Sequence, residues 1–242
     1  MFDQYRNQAW PYRFTAEVLV GVLAGGVPSD PKVAEGWIRT KMGLTAEQQI
    51  QDMVAKTMEE RGLSQADAEV AVAMNKHLNG FKRTSDGELY LEGRCAKAML
   101  KEAFSVAVDT QKIKPRGYGL NSRKGVLSFV AEHVFVLEND LLTGRKEADH
   151  ITQKFVHTFR GSGIQYEECL KDVSLTFTVV SDYDFTEEEW AMVWLTAEQE
   201  GLGASRSQGF GRFTMKRWEQ DVKAAKAARK VAAKKGDLVI EA

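Results

Sequence analysis

The side chains able to carry acid–base, nucleophilic or metal chemistry are few in this chain of 242 residues, which has four histidines and two cysteines. Cys95 and Cys169 are far apart and have no partner at metal-ligand spacing. Both read as inert thiols, and neither a metal nor another cofactor is expected. His77 falls at a helix end beside Lys76, His150 follows the acidic stretch KEAD, and His133 lies in a mostly apolar strand pattern that suits a structural role. His157 is the best catalytic candidate. It stands in KFVHTFRGSG with Lys154 and Arg160, so a proton acceptor and a phosphate clamp fall on one strand or at its end. Strand alternation counts against their acting together, because Lys154 and Arg160 share one face and His157 points to the other. Glu187, Glu188 and Glu189 are helix-capping material rather than a metal cage, and Asp86-Gly87 is turn chemistry.

The most informative chemistry is anion binding. Residues 202–213, LGASRSQGFGRF, leave a helical pattern and enter a strand. Gly203, Gly209 and Gly211 permit positive φ and close backbone approach, while Arg206 and Arg212 supply donors for phosphate. Phe210 and Phe213 are suited to stack on bases or to enter the core. A dinucleotide fingerprint would follow a strand and open a helix, and a Walker loop would continue into Gly-Lys-Ser/Thr. The segment does neither. Its other reading is a tight helix–strand connection that serves the fold alone. A second candidate is the basic stretch 112–124. There Tyr118 stands between two glycines and is flanked by Arg116, Arg123 and Lys124, an arrangement for stacking a base while cations track phosphates, or else a solvated loop.

A net charge of −1, taken alone, argues against a polyanionic partner. Residues 216–235 hold eight basic and two acidic residues, a net of +6, so the rest of the chain carries −7. A mildly acidic body therefore precedes a basic tail. From residue 222 to 235 that tail is only Ala, Val, Lys and Arg, mostly good helix formers without the large apolar face of a membrane-surface helix. The longest apolar run, VLVGVLAGG at 18–26, is about half of what a membrane span needs, and the first residues carry no secretory pattern. The expectation is a cytoplasmic protein with no membrane partner.

These candidates need elements to position them. Alternation over 10–23 predicts a strand. Residues 45–61 and 64–78 predict two capped helices, 81–93 a hairpin, and 96–108 a helix with Met99, Leu100, Ala103, Phe104 and Ala107 on its core stripe. Strands are predicted at 126–137, 154–159 and 171–180, a helix at 186–200 capped by Thr186, and a last strand at 213–218. Strands flanking helices without strict alternation predict an α+β fold: a ferredoxin-like (RRM-like) sheet with helices on one face, a helical insertion at about 45–78 after the first strand, and a basic helical C-terminal tail. The expected organisation is one domain over 1–218 and a tail over 219–242.

LGASRSQGFGRF resembles the C-terminal glycine-rich loop of the RAMP superfamily, the RNA-binding subunits of CRISPR effector complexes and the related guide-RNA-processing endoribonucleases. Residues 89–101, LYLEGRCAKAMLK, are similar to the family's strand–Gly–loop–helix segment, with Gly93 and Lys97 matching. The family's usual Pro and Gly are Glu92 and Ala98 here. FRGSG at 159–163 and the strand after it resemble the approach to the family's third core strand. The resemblance implies RNA contact through Ser205, Arg206, Ser207, Gly209, Phe210, Gly211 and Arg212, with Gly93, Lys97 and Arg160 beside them. It implies single-stranded or guide RNA as partner, together with other copies of the chain or other protein subunits. Processing members of the family use a histidine for attack by the ribose 2′-OH, which keeps a metal-independent endoribonuclease with His157 as an alternative. A structural protein of the same fold without RNA is another.

Overall fold

A computed structural model describes residues 10–28, 46–68, 78–110, 113, 123–158 and 161–221. In chain order the elements are β1 (Tyr12–Ala24), β2 (Val27–Pro28), α1 (Ala46–Arg61), β3 (Leu78–Gly80), β4 (Lys82–Arg83), β5 (Leu89–Glu92), α2 (Gly93–Asp109), α3 (Arg123–His133), β6 (Val134–Val136), β7 (Asp140–Leu142), β8 (His150–Thr158), β9 (Gly161–Ser181), α4 (Glu187–Glu200) and β10 (Phe213–Gln220). The chain divides into two compact units. One comprises residues 1–23, 90–144 and 171–242, and the other residues 24–89 and 145–170.

The first unit is a βαββαβ sheet. β10 pairs antiparallel with β1, β1 neighbours β9, and β9 pairs antiparallel with β6. The crossover β1–α2–α3–β6 therefore leaves room for β9 between its strands, and β9–α4–β10 leaves room for β1. These two interlocked split units are the ferredoxin-like α+β topology that the sequence pattern predicts. Its core follows the strand alternation. Phe14, Ala16, Val18 and Val20 of β1 and Val173, Leu175, Phe177 and Val179 of β9 are buried. Rings tie α4 to that face: Trp190 lies 5.5 Å from Phe14, and Trp194 lies 6.3 Å from Phe177. Trp218 of β10 stacks on Phe14 at 4.4 Å. α2 packs against both α3 and α4, and its Phe104 meets Trp190 edge-on at 5.4 Å. Thr186 starts α4 with a full capping box, its hydroxyl accepting from Glu189 N while the Glu189 carboxylate accepts from Thr186 N. A smaller ladder in the same unit pairs Leu91 of β5 with Leu141 of β7.

One sequence expectation fails here. The pattern over 126–137 predicts a strand, whereas the chain is helical to His133 and extended only at Val134–Val136. The β-branched content favours a strand, but the completely buried Val126, Val130 and Val134 recur every four residues, which is the helical period. His133 consequently ends a helix instead of lying in a strand. Its Nδ1 is 2.8 Å from Asp182 Oδ1, and its ring lies against Phe129.

In the second unit β9 pairs antiparallel with β8 and parallel with β3, and β3 pairs antiparallel with β2. The expected helical insertion is present as α1, whose Val54 and Met58 cluster with Leu63 and Ala68. A following helix begins at the predicted cap, where Ser64 Oγ accepts from Asp67 N at 3.3 Å. The expected turn at Asp86-Gly87 is also present, with Thr84 N donating to Glu88 O at 2.9 Å. Burial on both faces of β9 is resolved by pairing: Glu167 meets Lys154, and Glu168 accepts from Phe81 N at 3.1 Å and from Arg83 at 3.3 Å. The basic tail beyond Asp221 lies outside the described residues. No helix among them is long and apolar enough to cross a membrane.

Candidate nucleic-acid interface

The glycine-rich loop is built by the need to turn sharply from α4 into β10. Leu202 N donates to Gly211 O at 2.8 Å, closing residues 203–210 into an excursion whose two arms touch. A Cβ on Gly211 would lie 2.0 Å from Leu202 O, and its φ is +76°, so only glycine fits the crossing. The outgoing arm is pinned to β1: Gly211 N donates to Val22 O at 2.7 Å, and Gly21 N donates to Arg212 O at 3.1 Å. Within the excursion, Ser205 (φ 56°) and Gly209 (φ 89°) take left-handed conformations on either side of one 3₁₀ turn, Arg206–Gln208.

That geometry sorts the predicted residues. Ser207, Gln208, Gly209 and Arg212 are exposed, and Phe210 is half-buried. Phe213 takes the core alternative, packing near Trp194 with its ring centroid 6.4 Å away. Arg206 Nη1 is 2.6 Å from Glu102 Oε2 on α2, with about a third of each side chain exposed (31% and 38%). Among the described residues, Arg212 has no ion pair. The loop thus brings together Ser205, Arg206, Ser207, Gly209, Phe210, Gly211 and Arg212, with one guanidinium engaged by a carboxylate and one reaching solvent.

Gly93 and Lys97 lie together at the start of α2, turned to the fold. A Cβ on Gly93 would lie 1.8 Å from Glu138 O, and Gly93 N donates to Asn139 O at 2.7 Å. Lys97 Nζ donates to Ala131 O at 2.8 Å and stands 3.6 Å from the centre of the Phe135 ring. Burial lowers the Lys97 pKa, and Lys101 one turn on lowers it further.

The other predicted residues belong to other elements. His157 is on β8 opposite Ser162. Lys154, its proposed companion, is engaged by the buried Glu167 in the second unit, which removes its ammonium from phosphate binding. Arg123 and Lys124 open α3. Arg116, Tyr118 and Arg160 lie outside the described residues. No group of three or more potential metal ligands converges among the described residues.

The sheet face away from the helices is mostly polar along β1 and β10. An RRM-type sheet stacks bases on aromatic side chains. Here the outward positions carry Thr15, Glu17 and Leu19, paired across β10 with Glu219, Arg217 and Thr214. Ser174 Oγ, exposed on β9, donates to Glu17 Oε1 at 3.3 Å. These positions mix hydroxyls, carboxylates, a guanidinium and a leucine, with no aromatic ring among them. Glu102 was not legible as a site residue in the sequence, because nothing local links it to an arginine 104 positions away.

No protein-family model matches the sequence, and no curated protein is similar to it. A solved structure described as the Type III-B Cmr-beta bound to cognate target RNA contains a chain that is similar at a TM-score of 0.44 and 10% identity. The similarity covers 86% of this chain and 60% of that one, so this chain spans 60% of its neighbour's length.

Proposed function

We propose that this protein is a RAMP-like RNA-binding subunit of a CRISPR-type or CRISPR-like ribonucleoprotein assembly in the cytoplasm. It holds the RNA backbone and does not cleave RNA on its own. Its partners are single-stranded or guide RNA, other copies of the chain and other protein subunits. The observation that supports this most is the glycine-rich loop, whose exposed tip and exposed Arg212 leave a guanidinium at the surface. An exposed guanidinium on such a loop grips phosphate without reading sequence. The absence of aromatic rings at the outward β1 and β10 positions fits backbone contact at the loop better than base stacking on those strands.

Filter binding of single-stranded RNA across a salt series tests the proposal. Removing one cation that neutralises a phosphate lowers the slope of log affinity against log salt by about 0.7 for single strands. Arg206→Ala with Arg212→Ala is therefore expected to lower it by about 1.4. Absence of salt-dependent binding by the wild type refutes the proposal.

The burial of Leu202 and Phe213 and the Arg206–Glu102 pair favour a second reading, in which the loop only closes the fold. That reading predicts purified protein free of nucleic acid. An absorbance ratio at 260 and 280 nm that falls on nuclease treatment excludes it.

A further inference from the structure

We propose that Glu102 is a built-in competitor for phosphate at Arg206, so that the carboxylate on α2 sets how tightly the loop holds RNA. The inference rests on the RNA-binding reading and adds a residue that the loop motif does not contain. Arg206 is the loop's first guanidinium, and its Nη1 already has an anionic partner at 2.6 Å. A phosphate oxygen arriving at that nitrogen meets an occupied donor and a like charge, so binding through Nη1 requires the Glu102 pair to open. The pair can open. With 31% and 38% of the side chains exposed, water replaces either partner at little cost. The pair therefore keeps Arg206 ordered when RNA is absent and subtracts from affinity when RNA arrives. Arg212, with no ion pair among the described residues, carries no such penalty.

The test is a double-mutant cycle on the full chain, read as affinity for a fluorescein-labelled uridine homopolymer at low salt. Glu102→Gln is expected to tighten binding about threefold to tenfold, and raising the salt concentration is expected to shrink the gain. In the Arg206→Ala background the same Glu102→Gln change is expected to have no effect, because its competitor role acts only through that guanidinium. A gain that persists without Arg206 overturns the proposal in favour of a general charge effect. Wild-type binding with no gain in Glu102→Gln overturns it while leaving the RNA-binding reading intact, whereas no binding by either protein overturns both. A variant that misfolds cannot imitate the expected tightening.

Discussion

Two segments of the same unit pair a glycine with a basic residue, and they set the pair in opposite surroundings. At the start of α2, Gly93 is crowded by the backbone at Glu138, and Lys97 is covered by Phe135 and a carbonyl. In the loop before β10, Gly209 has nothing within 4 Å of where a Cβ would stand, and Arg212 is exposed. Glycine plus a cation is therefore not in itself an anion site. What decides is whether the neighbouring chain has already filled the space the glycine opens. At Gly93 the 138–139 backbone fills it. At Gly209 it stays open.

Adding a methyl group at each glycine puts this contrast under the greatest stress. Gly93→Ala puts a carbon 1.8 Å from Glu138 O, and Gly211→Ala puts one 2.0 Å from Leu202 O at a left-handed φ. Both are expected to cost about 3 kcal/mol or more, as overpacking with backbone shift does. Gly209→Ala meets no atom and is expected to cost only the left-handed strain, about 1–2 kcal/mol. Urea denaturation midpoints rank the three. A Gly93→Ala protein as stable as the wild type would show that the crowding at α2 is not what keeps a glycine there.

The next effect belongs to binding. Arg206→Ala with Arg212→Ala is expected to weaken single-stranded RNA binding at least tenfold, about 1.4 kcal/mol, while the melting temperature changes little, since the two side chains are partly or fully exposed. If affinity is kept, the distinction between the two segments fails on the side of the loop.

How much of this was legible in the sequence follows from the range of each interaction. β1, α2, α4 and β10 announce themselves because their apolar residues repeat locally at period 2 or 3.6, and the Thr186 capping box lies within four residues. The loop is legible as a loop because three glycines and two arginines fall within ten residues. α3 is not, because Val126, Val130 and Val134 combine strand propensity with helical spacing, and packing against α2 decides between them. Nor are the interactions that settle site roles. Glu102 with Arg206, Lys97 with Phe135 and Lys154 with Glu167 all depend on the folded topology, which places distant positions side by side.

The smallest expected effect concerns the α2 side. Lys97→Met keeps the apolar stem that covers Phe135 and removes the ammonium. The loss of the hydrogen bond to Ala131 O and of the ring interaction is offset by relief of a buried charge, so stability at neutral pH is expected to stay within about 1 kcal/mol of the wild type. RNA affinity is expected to be unchanged, because the ammonium is already held by Ala131 O and the Phe135 ring. The two proteins should separate at alkaline pH, and the sign is fixed. Burial lowers the Lys97 pKa in the folded protein, so between that lowered value and the ordinary lysine value of about 10.4 the unfolded chain binds more protons than the native one. In that window the wild type gains stability from this group as pH rises, and Lys97→Met does not. Parallel urea titrations of the two proteins from neutral to alkaline pH read the difference directly. A constant difference would mean that the ammonium is solvated, which would return Lys97 to the surface and to the groups free to meet RNA.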